Sequence, residues 1–469
     1  MTCASRFVAF WLLAEVLSAD EFDAFRLRIR QRLVETGAPS IAVALARDGK
    51  IVWEEGFGWA DRERRVAATE HTMYSLASIS KPITSTGLML LVQRGKLDLD
   101  KPVNDYLGEA KVRGRAGDAA GATVRRVANH TSGLPLHYQF FYVDEPYRRP
   151  SMDETILRYA NLVTRPGERY QYSNLGFGIL DYLISRISGM RYPDFMRQEV
   201  FGPLGMTRAE VAEKPGEFHA VRYAPDGLPI PFYDFDHPGG SAVFASAHDL
   251  VRFGMFHLKA HLPDQKAILG DDTIDEMHRP SSTKPGYGIG WAVGDDVISH
   301  TGGMGGVATS LRLVPAKKLA LVVLCNAGIS LPHQIADEIL GDSRPAPPPE
   351  KTVPFHPSEA LRGTWTGAVS TYKSELPLTL EIRESGDVHA RLGRRLETLL
   401  NNPVFRDGVL TGTMMGDLGT EDANRRRHVV QLSLTLRGEV LNGAATAISV
   451  PGNRAGNALT SWAELTRVQ

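Results

Sequence analysis

Ser78-Ile79-Ser80-Lys81-Pro82-Ile83 runs on into the apolar stretch Leu88-Met89-Leu90-Leu91-Val92 and stops at Gly95. Proline is tolerated in a first helical turn and glycine is a frequent terminator, so the stretch predicts a buried helix with Ser78 at its N-terminal mouth. The helix dipole and free N–H groups there favour a developing oxyanion. Lys81 follows three residues on, on the same face one turn along, within reach of the serine hydroxyl. That is the arrangement of an activated nucleophile. It makes a demand on Lys81: an ammonium of ordinary pKa ~10.4 accepts no proton near neutrality unless burial brings that value down by about 3.

The spacing alone is cheap. Ser-x-x-Lys recurs at Ser281/Lys284 and Ser370/Lys373, and on the order of one accidental match is expected in a chain this long. Only Ser78 has the helix behind it; Ser281 lies in a Pro-rich loop and Ser370 in a predicted strand. Two further elements strengthen the reading. Tyr172-Ser173-Asn174 precedes Leu175-Gly176-Phe177-Gly178-Ile179-Leu180 and places a phenol and an amide at a helix entrance. His300-Thr301-Gly302-Gly303 is expected to end a strand and open a Gly-rich turn, where backbone can approach a ligand. Taken singly, Tyr172 and Asn174 read as loop caps and His300 as a surface residue.

Outward from these motifs, Phe22, Phe25, Ile29 and Leu33 recur at helical spacing. Ser40 to Arg47, Asp48-Gly49 and Ile51-Val52-Trp53 then read as a β-hairpin. A second strand block spans Val297 to Cys325, followed by a helical pattern over Leu331 to Leu340. About 200 mainly helical residues separate the blocks, including Gly176 to Ile187 and Leu250 to His257. This predicts an α+β domain: an antiparallel sheet assembled from both chain ends, flanked by terminal helices, with a helical domain inserted at about 96–285. A run of prolines over 343–357 reads as a stiff linker. Beyond it, residues 358–469 alternate apolar and polar in short stretches, predicting seven or eight strands of an antiparallel barrel or sandwich.

The three motifs in this order resemble the penicillin-recognising serine hydrolases: class C β-lactamases, related D-alanyl-D-alanine carboxypeptidases, D-aminopeptidases and β-lactamase-like esterases. The resemblance covers about Phe22 to Leu340 and includes His130-Thr131-Ser132-Gly133-Leu134-Pro135, Phe201-Gly202-Pro203-Leu204-Gly205-Met206 and Tyr287-Gly288-Ile289-Gly290-Trp291. It implies a β-lactamase-like α/β/α sandwich over 20–342. It also implies that Ser78 becomes acylated while Lys81 and Tyr172 share the proton traffic, with the amides of Ser78 and Gly303 as the oxyanion hole. Asn174 would hold the acyl side; His300, Thr301 and Gly302 would line the leaving-group side. Most class C β-lactamases carry Lys where this chain has His300, which speaks against strong β-lactamase activity and makes carboxylate binding weaker and pH-dependent. Gly363-Thr364-Trp365-Thr366-Gly367 is similar to the start of lipocalin-like barrels appended to some members.

Composition bounds the alternatives. The 469 residues are 43% hydrophobic and 23% charged, with Lys+Arg 53 against Asp+Glu 54 and net charge -1, which is a globular balance of two or three domains. It offers no electrostatic case for nucleic acid or an anionic membrane. Two cysteines, Cys3 and Cys325, build neither a disulfide framework nor a zinc site. Phe7 to Leu17 has the layout of a short signal peptide over residues 1–19, implying export, and the competing reading is the apolar start of the first helix, leaving a cytoplasmic protein. No stretch has the length of a membrane span. Gly303 to Ala308 fits a dinucleotide pattern only formally, because a strand follows it. His257 and His261, four apart on one predicted helix, read as solvated histidines rather than metal ligands.

The expectation is therefore a serine hydrolase needing no metal or cofactor, acting on small-molecule esters, amides or peptides. A D,D-carboxypeptidase or weak β-lactamase is the rival within catalysis. A receptor that is acylated without turnover is the rival outside it.

Overall fold

The computed structural model describes residues 22–342 and 354–468. The segment read as a signal peptide and most of the proline run lie outside them. Seven antiparallel strands form the main sheet, in the order Val66–Ala67, Lys50–Asp61, Ser40–Arg47, Leu319–Cys325, Val307–Val314, Ile298–Met304, Ala292–Val293. The first long strand pairs directly with the last, Ile41 opposite Cys325 and Leu45 opposite Leu321, so the two chain ends of the domain meet at the sheet's centre.

Side-chain alternation explains why both faces are covered. Ile41, Val43 and Leu45 point one way and pack with Leu321, Val323, Phe22, Ile29, Leu331 and Ile335, beneath the helices 22–36 and Leu331–Leu340. Each such fully buried aliphatic side chain contributes about 1.5–3 kcal/mol. Ala42, Ala44 and Ala46 point the other way. Their small size lets the helix Ala247–His257 lie close to the sheet; a Cβ on its Gly254 would come within 2.8 Å of the Ala320 methyl. His257 is buried, with Nε2 2.9 Å from Thr86 Oγ1, and His261 falls beyond the helix. The expectation of two solvated histidines on one helix is thereby corrected: one is a core residue of the sheet-facing helix.

Between the strand blocks lie the helices Ser80–Gln93 and Asn174–Ser188, together with two small sheets that the helical reading did not anticipate. One of them pairs Phe140–Tyr142 with Tyr233–Phe235.

The C-terminal region is a nine-stranded antiparallel sheet, one or two strands more than expected. The difference includes the two-residue strand Thr398–Leu399, too short to carry a periodicity. Its first strand, Gly363–Ser370, pairs with its last, Ala458–Arg467, which curls the sheet into a nearly closed barrel. Trp365 fills the interior and donates its indole N–H to Leu361 O at 2.9 Å. Gly367 is required where the strands close, since a Cβ there would stand 2.0 Å from Glu464 O.

The barrel docks on the first domain along the segment that leads into the strand Phe140–Tyr142. Tyr138 and Ala458 exchange backbone hydrogen bonds at 3.0 and 2.9 Å, and Asn457 Oδ1 accepts from the Phe140 amide at 3.0 Å. Arg454 meets Glu145 at 2.9 Å and also pairs with Asp144, while Asp422, buried, accepts from Tyr159 OH at 2.6 Å.

Candidate active site

Ser78 sits in a tight turn, Ala77–Ile79, immediately before the helix Ser80–Gln93. Ala77 is held at φ 48°, a left-handed conformation that costs an alanine about 1–2 kcal/mol. The surroundings enforce it: Leu76 O accepts from Ile79 N at 3.2 Å and from Thr309 Oγ1 at 3.0 Å. Pro82 falls in the first helical turn, where the missing N–H costs nothing.

Two side chains from distant parts of the sequence close on the Ser78 hydroxyl. Lys81 Nζ is 3.0 Å from Ser78 Oγ, and Tyr172 OH donates to the same oxygen at 2.9 Å. Tyr172 stands just before Ser173, which caps the helix Asn174–Ser188 by accepting from Gly176 N, so the phenol is delivered by a helix entrance. Lys81 is fully buried and also contacts Asn174 Oδ1 at 2.7 Å and Gly240 O at 2.9 Å. Burial pushes its pKa well below the ordinary lysine value, and burial pushes the Tyr172 phenol above its own.

In its unprotonated form Lys81 has two amine hydrogens and one lone pair. Asn174 Oδ1 and Gly240 O can only accept, so they take the two hydrogens and the lone pair faces the Ser78 hydroxyl. Gly240 is aimed by its own support: the Gly239 amide donates to Asp181 Oδ2 at 2.6 Å and Gly239 O accepts from Thr84 Oγ1 at 2.7 Å.

Ser78 opens onto a cavity of about 370 Å³. Tyr172, Asn174, His237 and Ser241 border it on one side, Leu136, Tyr138 and Phe140 on another, and Gly303, Met304 and Gly305 along the strand. Ala455 and Gly456 of the barrel complete the wall, a contribution that no signal in the linear sequence indicated. Among the described residues no Lys, Arg, Asp or Glu lines it.

The His300 motif departs from expectation. It lies within the strand Ile298–Met304, and the hairpin turn comes later, at Gly305-Gly306. Alternation along this strand buries His300 and Gly302 and leaves Thr301 exposed. Neither His300 nor Thr301 lines the cavity. Instead His300 Nδ1–H donates to Thr301 O at 2.7 Å while Nε2 accepts from Tyr287 OH at 2.8 Å. Burial pushes its imidazole down to about 3, so it carries no charge near neutrality and supplies no pH-dependent hold on a carboxylate. Its influence reaches Tyr172 through packing: Tyr287 lies 4.7 Å from the His130 ring, and His130 lies 4.4 Å from Tyr172. Gly302 is a spacing residue, because a Cβ there would stand 2.1 Å from Leu76 O and 3.1 Å from the Ala77 methyl. Gly303 faces open space.

Sequence reasoning missed His237 and the Gly240 carbonyl. The run Pro238-Gly239-Gly240 was the available signal, since paired glycines permit a close backbone approach.

A family model described as Beta-lactamase matches residues 25–342. Unguisins hydrolase ungD' of Aspergillus campestris is 28% identical over 357 residues, covering 69% of this chain and 66% of that protein. Penicillin-binding protein 4* of Bacillus subtilis is 26% identical over 322 residues, covering 61% and 67%. The chain thus spans about two thirds of the length of each. The octameric penicillin-binding protein homologue from Pyrococcus abyssi shares the fold with TM-score 0.58 at 22% identity, over 94% of this chain and 99% of that one. That similarity extends through the barrel as well as the sheet domain.

Proposed function

The chain belongs to the β-lactamase family, and from that premise we propose that it is a serine hydrolase cleaving esters or amides of small acyl compounds or peptides through an acyl-enzyme on Ser78. The observation that carries the reading is the convergence of Lys81 Nζ at 3.0 Å and Tyr172 OH at 2.9 Å on one hydroxyl at a cavity wall.

In this mechanism the Lys81 lone pair takes the Ser78 proton as Oγ attacks the carbonyl carbon. The carbonyl oxygen becomes an oxyanion held by the amides of Ser78 and Gly303, each such donor being worth about 3–4 kcal/mol. Tyr172 keeps its proton near neutrality and stands beside the leaving atom, to which it passes a proton as the bond breaks, and the phenolate so formed takes up the proton that Lys81 accepted from Ser78. Water entering the vacated position loses its proton along the same route in reverse and releases the acid. A wall without cationic side chains favours neutral substrates over those presenting a carboxylate, which supports esters and amides ahead of β-lactams or C-terminal D-Ala-D-Ala peptides.

The test is a panel: a p-nitrophenyl ester, a chromogenic cephalosporin, a D-aminoacyl amide and a D-Ala-D-Ala peptide, each followed for turnover with the wild type and Ser78→Ala. Repeated turnover of the ester or the amide, lost by at least ~10³-fold in Ser78→Ala, is expected. Undiminished turnover by Ser78→Ala would refute the assignment.

A further inference from the structure

Behind the cavity wall beside Asn174 lies a chain of three titratable side chains that the mechanism does not use. Asp236 is buried between two imidazoles: His137 Nε2 is 2.6 Å from Oδ2 and His237 Nδ1 is 2.7 Å from Oδ1. Burial disfavours charge on Asp236, but the two imidazoles outweigh it and hold the carboxyl below its ordinary range. An ionised carboxylate only accepts, so both ring nitrogens facing it carry hydrogens. His237 therefore holds its proton on Nδ1, and Nε2 is left with a lone pair. Burial pushes this imidazole below its ordinary pKa against the pull of Asp236, which keeps it neutral.

The ring is held by its hydrogen bond to Asp236 and by burial. His237 is 1% exposed, and its backbone is pressed against Gly178, where a Cβ would stand 3.0 Å from His237 Cα. The ring borders the cavity that Ser78 opens onto, and among the described residues its one side-chain hydrogen bond is that of Nδ1 to Asp236. An unpartnered acceptor, almost fully buried and facing a substrate cavity, selects for a ligand that brings the missing hydrogen. Asn174, on the same wall, commits its Oδ1 to Lys81 and keeps its Nδ2 hydrogens for a ligand. Donor and acceptor side by side match a C=O and an N–H of one group.

We propose that His237, oriented by Asp236 and His137, is a specificity-determining residue that accepts a hydrogen bond from an N–H on the acyl portion of the substrate. The preferred acyl group then carries an amide or amine nitrogen, and a plain alkanoyl group leaves the His237 lone pair unmatched. This rests on the acyl-enzyme reading of Ser78.

Two esters that differ in one atom test it: the 4-nitrophenyl ester of N-acetylglycine, and that of O-acetylglycolic acid, in which an ester oxygen replaces the N–H. With the wild-type full chain, kcat/KM for the amide-bearing ester is expected to exceed that of its oxygen analogue by about tenfold or more, after correction for spontaneous hydrolysis. In His237→Leu the ratio is expected to fall towards one, and in His237→Gln, which keeps an acceptor oxygen, to be partly restored. A wild-type ratio near one overturns the His237 assignment while leaving Ser78 turnover intact, and needs no variant to fold. Absence of turnover on both esters, with no acyl adduct by intact mass, overturns the acyl-enzyme reading as well.

Discussion

The base role proposed for Lys81 rests on its burial, and its pH behaviour follows with a definite sign. Burial favours the neutral amine, so the folded-state pKa lies below the unfolded one, and between the two values the unfolded chain binds the extra proton. Stability and the competent state both increase as pH rises through the folded-state value. We expect kcat/KM to rise along one limb centred well below the ordinary lysine range and to level off above it. Lys81→Arg, which cannot lose its proton, should fall by ~10²–10⁴-fold at every pH. A wild-type limb centred near pH 10, or an active Lys81→Arg, would contradict the role. Ser78, Lys81 and Tyr172 were legible in the sequence because each needs a particular chemical type at a particular spacing to a helix start. Asp236, His137 and His237 were not: His137 and Asp236 lie 99 residues apart, and nothing periodic marks them.

The strand Ile298–Met304 and the turn Ala77–Ile79 set the site's geometry together, with Gly302 as the point of contact. Gly302→Ala must push the strand away from Leu76 O and displace Gly303 from Ser78; a misplacement near 1 Å costs on the order of 10²-fold in rate. The circular dichroism spectrum should remain that of the wild type while kcat/KM falls by about that factor. Gly303→Ala, whose methyl enters open cavity, should instead act mainly through KM for bulky substrates. Equal losses in kcat for both variants would sink this distinction. The strand Ser40 to Arg47 was legible as one arm of a hairpin from its sequence and the Asp48-Gly49 turn that follows, and the structure pairs it with the next strand as expected. The extent of the His300 strand was hidden, because glycines at 302 and 303 read locally as a turn, and only the opposing turn explains why a strand needs them.

Across the whole molecule, the sheet domain and the barrel were both readable, one from its motifs and the other from short alternating stretches between turn residues. Their docking was not, since it depends on pairs such as Tyr138 with Ala458 and Arg454 with Glu145, more than 300 positions apart. The same holds for the three Ser-x-x-Lys spacings. Ser281 Oγ turns to Thr283 Oγ1 at 3.1 Å, and Ser370 Oγ donates to Glu375 at 2.9 Å while Lys373 pairs with Glu421. Only Ser78 gains a lysine and a phenol, and tertiary structure makes that difference. The most direct test is therefore to quench the full chain during turnover of an activated ester, digest it and locate the acyl group by mass spectrometry. The account predicts a single adduct on Ser78, absent from Ser78→Ala; an adduct on Ser281, Ser370 or any other side chain, with residue 78 unmodified, would contradict it.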